Sequence, residues 1–468
     1  ASANRFISSY DPLSSTDAQI DGALHYFGVN GAALLEAFSS LSAAGPLAWN
    51  EKLASAARLH NSAVIEADEQ SHQLAGEPPL GQRLTNAGYE WSIAGENVYA
   101  FALNLIYTHA GFMVDWGYDQ ADYDGQDVRS EFATIGDGMQ DEAGHRYTIM
   151  NPNFLEVGIA ITYETLSSTE VGPMVATQNF AAPAAAASYY YVTGVAYNDT
   201  NRNNFYDANE GVAGLQVNVR LGGVRSNEAG SYSLAVFTGP TTITLSQAGL
   251  DGAVVVTANI VSENLKLDVV NGDTLVTSGS ITVSGPVYTI RGVGQSNLSI
   301  TGDYRSQAIE GSSGNDTLDG QAGSDVLFGA GGNDTLIGGN GVDIARYTGN
   351  KSQYTLVNNN GIVTISGNGE GTDTARGVEV FRFADGDYAF NAASGKLVAF
   401  GDNGTAAGPR ALLPQPAYDA KDVFSIMGHA YTDKNGSGTF NQGEGRDDLT
   451  VAVRLGGKGS DATGVYNL

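Results

Sequence analysis

Gly311-Ser-Ser-Gly314-Asn-Asp316-Thr-Leu318-Asp319, Gly320-Gln-Ala-Gly323-Ser-Asp325-Val-Leu327-Phe328, Gly329-Ala-Gly-Gly332-Asn-Asp334-Thr-Leu336-Ile337 and Gly338-Gly-Asn-Gly341-Val-Asp343-Ile-Ala345-Arg346 lie end to end without a gap. Each nonapeptide has Gly at positions one and four, Asp at six and an apolar residue at eight. Glycine at those places permits tight turns with positive φ. An apolar residue at constant phase predicts a stacked coil with that side chain inside. A flexible Gly/Asn/Asp-rich linker would have no reason to keep Leu in phase.

The array resembles the parallel β-roll of secreted RTX proteins. The resemblance implies that each Asp completes an all-oxygen cage with a turn one coil away. Two repeats make one coil, so it pairs Asp316 with the Asp334 turn and Asp325 with the Asp343 turn. Gly314, Gly323, Gly332 and Gly341 then belong to the cage turns. Oxygen-only ligation suits the hard Ca²⁺ ion.

The chain has 468 residues and a formal charge of −28, so a compact metal-free state repels itself and divalent cations would offset that. The acidity argues against nucleic-acid binding and against attraction to anionic lipid. Without cysteine there is neither disulfide nor thiolate metal site, and calcium could take over the stapling role. No apolar run is long enough to span a membrane. The chain opens Ala1-Ser-Ala-Asn-Arg5 without a signal peptide, which fits a mature form or export through a C-terminal signal. A secreted or cell-surface destination, in a bacterium, is expected.

Residues 1–180 read as mixed α/β. Leu53, Ala57, His60 and Val64 share one helical face, with Asn50 as N-cap. Segments 156–161 and 175–180 read as buried strands. Between these lie Ser71-His72, Ala94-Gly95-Glu96-Asn97, Gly144-His145-Arg146 and Asn151-Pro152-Asn153-Phe154. That ordered set resembles the CAP superfamily, the cysteine-rich secretory or pathogenesis-related fold, over roughly Leu34 to Phe180. The resemblance implies an α-β-α sandwich with an open cleft lined by two histidines, His72 and His145, and two acids. Glu96 is one acid. Asp115, in Phe112-Met-Val-Asp115, fits the place of the second, with Asp where the family has Glu. The acidic segment from Gly117 to Asp141 leaves His109 and Asp119 as competitors. Such a set could accept Zn²⁺ and leave a site for water, with a carboxylate as general base. A polar or metal-accommodating cluster that shapes the cleft is expected ahead of a catalytic site. His60 is expected to pack.

Residues 181–188 read as an Ala/Pro linker, and 189–300 as a β-sandwich. Its motif is Asp199-Thr-Asn201-Arg-Asn203-Asn-Phe205-Tyr-Asp207-Ala-Asn-Glu210. Oxygen ligands fall at loop positions 1, 3, 5, 9 and 12, with the Phe205 carbonyl at 7, the EF-hand schedule. Asn204 replaces the usual Gly and tolerates αL. Strand-like flanks make the unit resemble the calcium-binding B-type repeats of bacterial surface adhesins. Residues 424–468 repeat it in part, with Asp433, Asn435, Ser437, Thr439, Asn441 and Glu444 in the second loop. Between the copies lie the roll at 301–346, a β cap at 347–399 and a linker at 400–423. Asn360-Gly361 predicts a hairpin. Segment 378–386 resembles the stretch C-terminal to the roll in serralysin-type secreted proteases, and no His-Glu-x-x-His is present.

The fold class is therefore multidomain: α/β followed by all-β. Three functions compete: a calcium-stabilised binding or surface protein with an unidentified extracellular ligand, a CAP-type metal-dependent hydrolase or peptidase, and a self-associating subunit. In the last, the incomplete second sandwich would receive Ala1–Leu13 of another copy as a strand and propagate an open filament.

Overall fold

The computed structural model describes residues 7–119, 133–134, 136–140, 143–165, 169–184, 189–390 and 397–399, and the backbone of short strands at 428–429, 450–453, 456–459 and 465–466. The second calcium-type loop, Asp433 to Glu444, and the 400–423 linker lie outside the described residues. Among the described residues no helix is long and apolar enough to cross a membrane.

The chain begins with a short hairpin, β1 (Ser9–Tyr10) and β2 (Leu13–Ser14). Helices α1 (Ala18–Tyr26) and α2 (Gly31–Ser39) come next, capped by Asp17 and Asn30. Ile7 is buried against Ile20, Leu24 and Leu34, and Tyr10 and Leu13 pack on the same cluster. The described part of Ala1–Leu13 thus packs on the core of its own chain. A strand donated from residues 7–13 would first have to leave this core.

A four-stranded sheet carries the α/β unit, in the order β3 (Ala48–Trp49), β7 (Glu156–Tyr163), β8 (Met174–Pro183), β4 (Trp91–Ala102). Two further short strands, β5 (Tyr118–Asp119) and β6 (Ala133–Thr134), pair with each other. Helix α3 (Glu51–Ala67) lies on the sheet and buries Leu53, Ala57, His60 and Val64, as the spacing predicts. Asn50 caps it, its Oδ1 accepting from the amides of Lys52 and Leu53. The close approach is possible because β7 offers Gly158. A Cβ there would run into the Ala54 amide and the Leu53 carbonyl carbon. Helices α4 (Leu80–Asn86), α5 (Leu105–Val114) and α6 (Gly144–Ile149) complete the unit. β8 runs on into the expected linker: Ala181 pairs with Ala94 and Ala182 with Ile93, and both alanines are buried.

A polar seam joins this unit to the next strands, β9 (Tyr189–Tyr197), β10 (Gln216–Val219), β11 (Gly222–Arg225) and β12 (Ser231–Phe237). Asn264 donates to the carbonyls of Pro46 and Leu155 at 2.8 and 2.7 Å. The buried carboxylate of Glu156 accepts from Tyr89, Tyr191 and Asn50. Each polar group thus removed from water is paired, as burial requires.

Residues 189–399 form two facing 11-stranded sheets. Three-residue strands at 299–301, 317–319 and 335–337 stack in parallel in one sheet, and those at 308–310, 326–328 and 344–346 in the other. Successive rungs lie 18 residues apart, so two nonapeptides make one turn. Leu318, Leu327, Leu336 and Ala345, the position-eight residues, are fully buried between the sheets, with Ile300 and Ile309 continuing the column. Both sheets run without break through the expected divisions at 300 and 346. The reason is that a parallel coil leaves open strand edges at both ends. The antiparallel strands at 254–260 and 265–270 begin one end, and the hairpin 354–359/362–367 closes part of the other. That hairpin turns at Asn360 and Gly361, both at positive φ.

The C-terminal strands repeat an earlier register. Gly428 and His429 pair with Tyr466 and Val465 as Gly194 and Val195 pair with Tyr232 and Ser231. Thr450–Val453 against Gly456–Gly459 likewise copies β10 against β11.

Candidate functional site

β4 decides where the cleft residues go. Adjacent strand residues face opposite sides of a sheet. Val98 packs with Val64 of α3, whereas Tyr99 stacks on Tyr107 of α5. Glu96 therefore faces α3 and α4, and Asn97 faces α5 and α6, where its amide donates to the His145 carbonyl at 3.2 Å.

On the first face, Arg83 clamps Glu96 with two hydrogen bonds, 2.7 and 2.9 Å, and also donates to the His72 carbonyl. His72 Nδ1 lies 3.1 Å from Glu96 Oε1, with its ring largely exposed. His60, fully buried, bonds Glu77 through Nδ1 at 2.8 Å and brings Nε2 to 3.8 Å from Glu96. Burial pushes the Glu96 pKa up. Hydrogen bonds from His72 and Arg83, with the charges of His60 and Arg83, outweigh it and hold the carboxyl below its ordinary value. A carboxylate clamped this way is a poor general base. Beside it lies a cavity of about 540 Å³ lined by Leu59, Ala63, Leu74, Glu77, Arg83 and Asn86.

On the other face, Asp115 sits just past α5 at φ 59° and is wholly buried. Its Oδ1 lies 2.6 Å from His145 Nδ1, and its Oδ2 accepts the His145 amide at 3.0 Å. It thereby caps α6, where a negative charge is favoured. Arg146 turns back to donate to the carbonyls of Met113 and Val114.

The four expected cleft residues thus form two pairs, His72–Glu96 and Asp115–His145, and β4 separates the sides on which they sit. Among the described residues no three His, Cys, Asp or Glu side chains converge on a point that could hold a metal. As two separated pairs, these donors do not fit Zn²⁺. The sequence alone does not single out Arg83 or Glu77, and it reads His60 as packing. A helix-borne Arg whose acid lies on another element carries no local signal.

The nonapeptide carboxylates form two ladders. The Asp316 amide donates to Asp334 Oδ1 at 2.7 Å and the Asp325 amide to Asp343 Oδ1 at 2.8 Å. All four aspartates are buried. The Oδ2 atoms of Asp325, Asp334 and Asp343 have no hydrogen-bond partner. A Cβ placed on Gly311 would come under 3.0 Å from both Asp316 Oδ2 and the Gly329 carbonyl, and one on Gly320 equally close to Asp325 Oδ2 and the Gly338 carbonyl. At Gly320 the carboxylate oxygen is buried and unsatisfied, while at Gly311 Asp316 Oδ2 accepts the Ser312 amide. Carboxylate oxygens facing carbonyls over a glycine are an all-oxygen set that fits Ca²⁺. Such cages draw on main-chain carbonyls, so three acidic side chains need not meet. Gly323, Gly332 and Gly341 all have positive φ. Gly314 sits against the Ser296 carbonyl.

The 199–210 loop is curled on itself. Asp199 accepts the amides of Asn203 and Asn204. Asn203 Oδ1 accepts the Phe205 amide. Asp207 Oδ2 accepts from Asn201 and Asn203. Glu210 accepts from Thr200 and the Asp207 amide. Asn204 has φ 62°, as its position-six place requires.

A family model described as the RTX calcium-binding nonapeptide repeat matches residues 310–345 in four copies. One described as the cysteine-rich secretory protein family, CAP, matches 40–180. The chain carries a CAP domain and an RTX repeat array. A search of curated proteins returned no match. Among solved structures, the chain is similar to an extracellular protein containing an SCP domain from Bacillus anthracis str. Ames, with 20% identity over 34% of this chain and 40% of that one, at a TM-score of 0.21. It is also similar to the extracellular lipase LipA from Serratia marcescens, with 18% identity over 25% and 24% and a TM-score of 0.22. The chain thus spans less than half the length of either.

Proposed function

We propose that this chain, a CAP domain joined to RTX repeats, is a secreted or cell-surface bacterial protein that loads calcium and presents a CAP cleft to an extracellular ligand. The observation that carries the reading is the pair of buried aspartate ladders with unsatisfied Oδ2 atoms. Calcium in a parallel β-roll would satisfy them, and the Asp199–Glu210 loop of the adjoining sandwich offers a further site. The ligand would bind in the cleft at His72 and Glu96, next to the cavity that Glu77 and Arg83 help to line. Calorimetric titration of the full chain should find several calcium sites, and Glu210→Gln should weaken the loop site alone. A titration without heat, with melting indifferent to calcium, would overturn the reading.

A hydrolytic reading is favoured by one observation. Asp115 holds His145 through Nδ1, an arrangement that leaves Nε2 as a proton acceptor. It requires peptide cleavage that disappears in His145→Ala and Asp115→Asn while both variants stay folded. Cleavage at the native rate in both would remove it.

A further inference from the structure

The aspartate ladders do not end at the fourth repeat. The Asp334 amide donates to Asp373 Oδ1 at 2.9 Å, just as the Asp316 amide donates to Asp334. The Asp343 amide donates to Glu379 Oε2 at 2.8 Å, just as the Asp325 amide donates to Asp343. Asp373 lies 39 residues beyond Asp334 and Glu379 lies 36 beyond Asp343, so the 18-residue step is broken in sequence and kept in space.

Asn368-Gly369-Glu370-Gly371-Thr372-Asp373-Thr374-Ala375-Arg376 repeats the nonapeptide pattern at positions four, six and eight, with Asn368 where the four repeats have Gly at position one. Gly371 stands at position four, at φ 93°, and packs on the Gly332 carbonyl as Gly332 packs on that of Gly314. The Thr372 amide is taken by Asn333 Oδ1, as the Asn333 amide is by Asn315 Oδ1. Thr374, Ala375 and Arg376 pair in parallel with Thr335, Leu336 and Ile337, and Ala375 enters the core column. The chain has left the coil for the 354–367 hairpin and returned in register.

On the other side the turn is abbreviated. Gly377 comes directly after Arg376, and Val380 and Phe381 pair with Ile344 and Ala345. A Cβ on Gly338 would come under 3.0 Å from both Asp343 Oδ2 and the Gly377 carbonyl, the arrangement found at Gly311 and Gly320. Glutamate in place of aspartate supplies one more methylene where the turn is shorter.

We propose that the cap completes two further calcium sites, one between the Asp334 and Asp373 turns and one between the Asp343 turn and the Gly377–Glu379 turn. Asp334 and Asp343, 2% and 0% exposed, each keep an Oδ2 without a hydrogen-bond partner. The cap is then a ligand donor to the roll as well as its cover, and calcium ties the returning chain to the coil it left.

The inference rests on the calcium reading above, and the test separates the two. In the full chain, Asp373→Asn and Glu379→Gln each keep the oxygen that accepts the ladder amide but lose the charge that an ion needs. The double variant should bind two fewer calcium ions per chain by calorimetry and should melt at a lower temperature in calcium, while its circular dichroism matches the native protein. Asp319→Asn, at position nine outside the ladders, should bind the native number. A native protein that binds no calcium would defeat the calcium reading itself. Native binding with the same stoichiometry and melting in the double variant would overturn this inference alone.

Discussion

Stripping calcium from the full chain with a chelator near pH 8 is expected to melt the nonapeptide coil, and the same treatment near pH 5 to leave much more of it folded. Burial pushes the carboxyl of Asp325 up to about 8, that of Asp334 to about 7 and that of Asp373 to about 6, against an ordinary value of 3.8, with neighbouring carboxylates adding to the rise. Asp343 is raised for the same reasons. The sign comes from linkage. A carboxyl whose folded pKa is raised contributes its full stability below the unfolded value and loses it as pH rises through the folded value. The metal-free coil should therefore weaken from about pH 4 upward and be weakest above about pH 8. Calcium reverses this, because it binds the ionised form. Each site adds about 2.7 kcal/mol when calcium stands about a hundredfold above its dissociation constant. Several sites then sum to the order of a whole domain's stability of about 5–15 kcal/mol. Circular dichroism melts with and without chelator, across this pH range, read the effect. Chelator-insensitive melting at every pH would show that the ladders hold no metal.

Arg83→Ala is expected to destabilise the α/β unit by about 3–5 kcal/mol, because it strands a buried carboxylate. Glu96 is almost fully buried and two of its hydrogen bonds come from this guanidinium. The Arg58–Glu51 pair provides the contrast. Both partners are more than half exposed, and Arg58→Ala should cost less than about 1 kcal/mol. Adding Glu96→Gln to Arg83→Ala should recover much of the loss, since the uncompensated charge goes with it. All three tryptophans, Trp49, Trp91 and Trp116, lie in this unit, so fluorescence in urea reports it separately from the β sheets. If Arg83→Ala and Arg58→Ala cost the same, the clamp contributes nothing beyond a surface pair.

The nonapeptide coil was legible because everything that defines it is local. A glycine that permits the turn, an Asp at position six and an apolar residue at eight recur within nine residues, and stacking results once that face must be buried. The Asn50 cap, the α3 face, the Asn360-Gly361 turn and the αL place of Asn204 were legible for the same reason, since each depends on backbone preferences within one turn. Tertiary structure alone decided the rest. β4 put Glu96 and Asn97 on opposite sides of an edge strand, and so divided an expected tetrad into two pairs. It also set Arg83, Glu77 and His60 around Glu96, from helices and loops whose meeting no spacing encodes. Asp373 and Glu379 become rungs of the ladders only because a hairpin returns the chain to the coil in register. A periodic pattern states what each repeat requires of its neighbour, but which distant segment meets that requirement is settled by which backbone edge is left open in space.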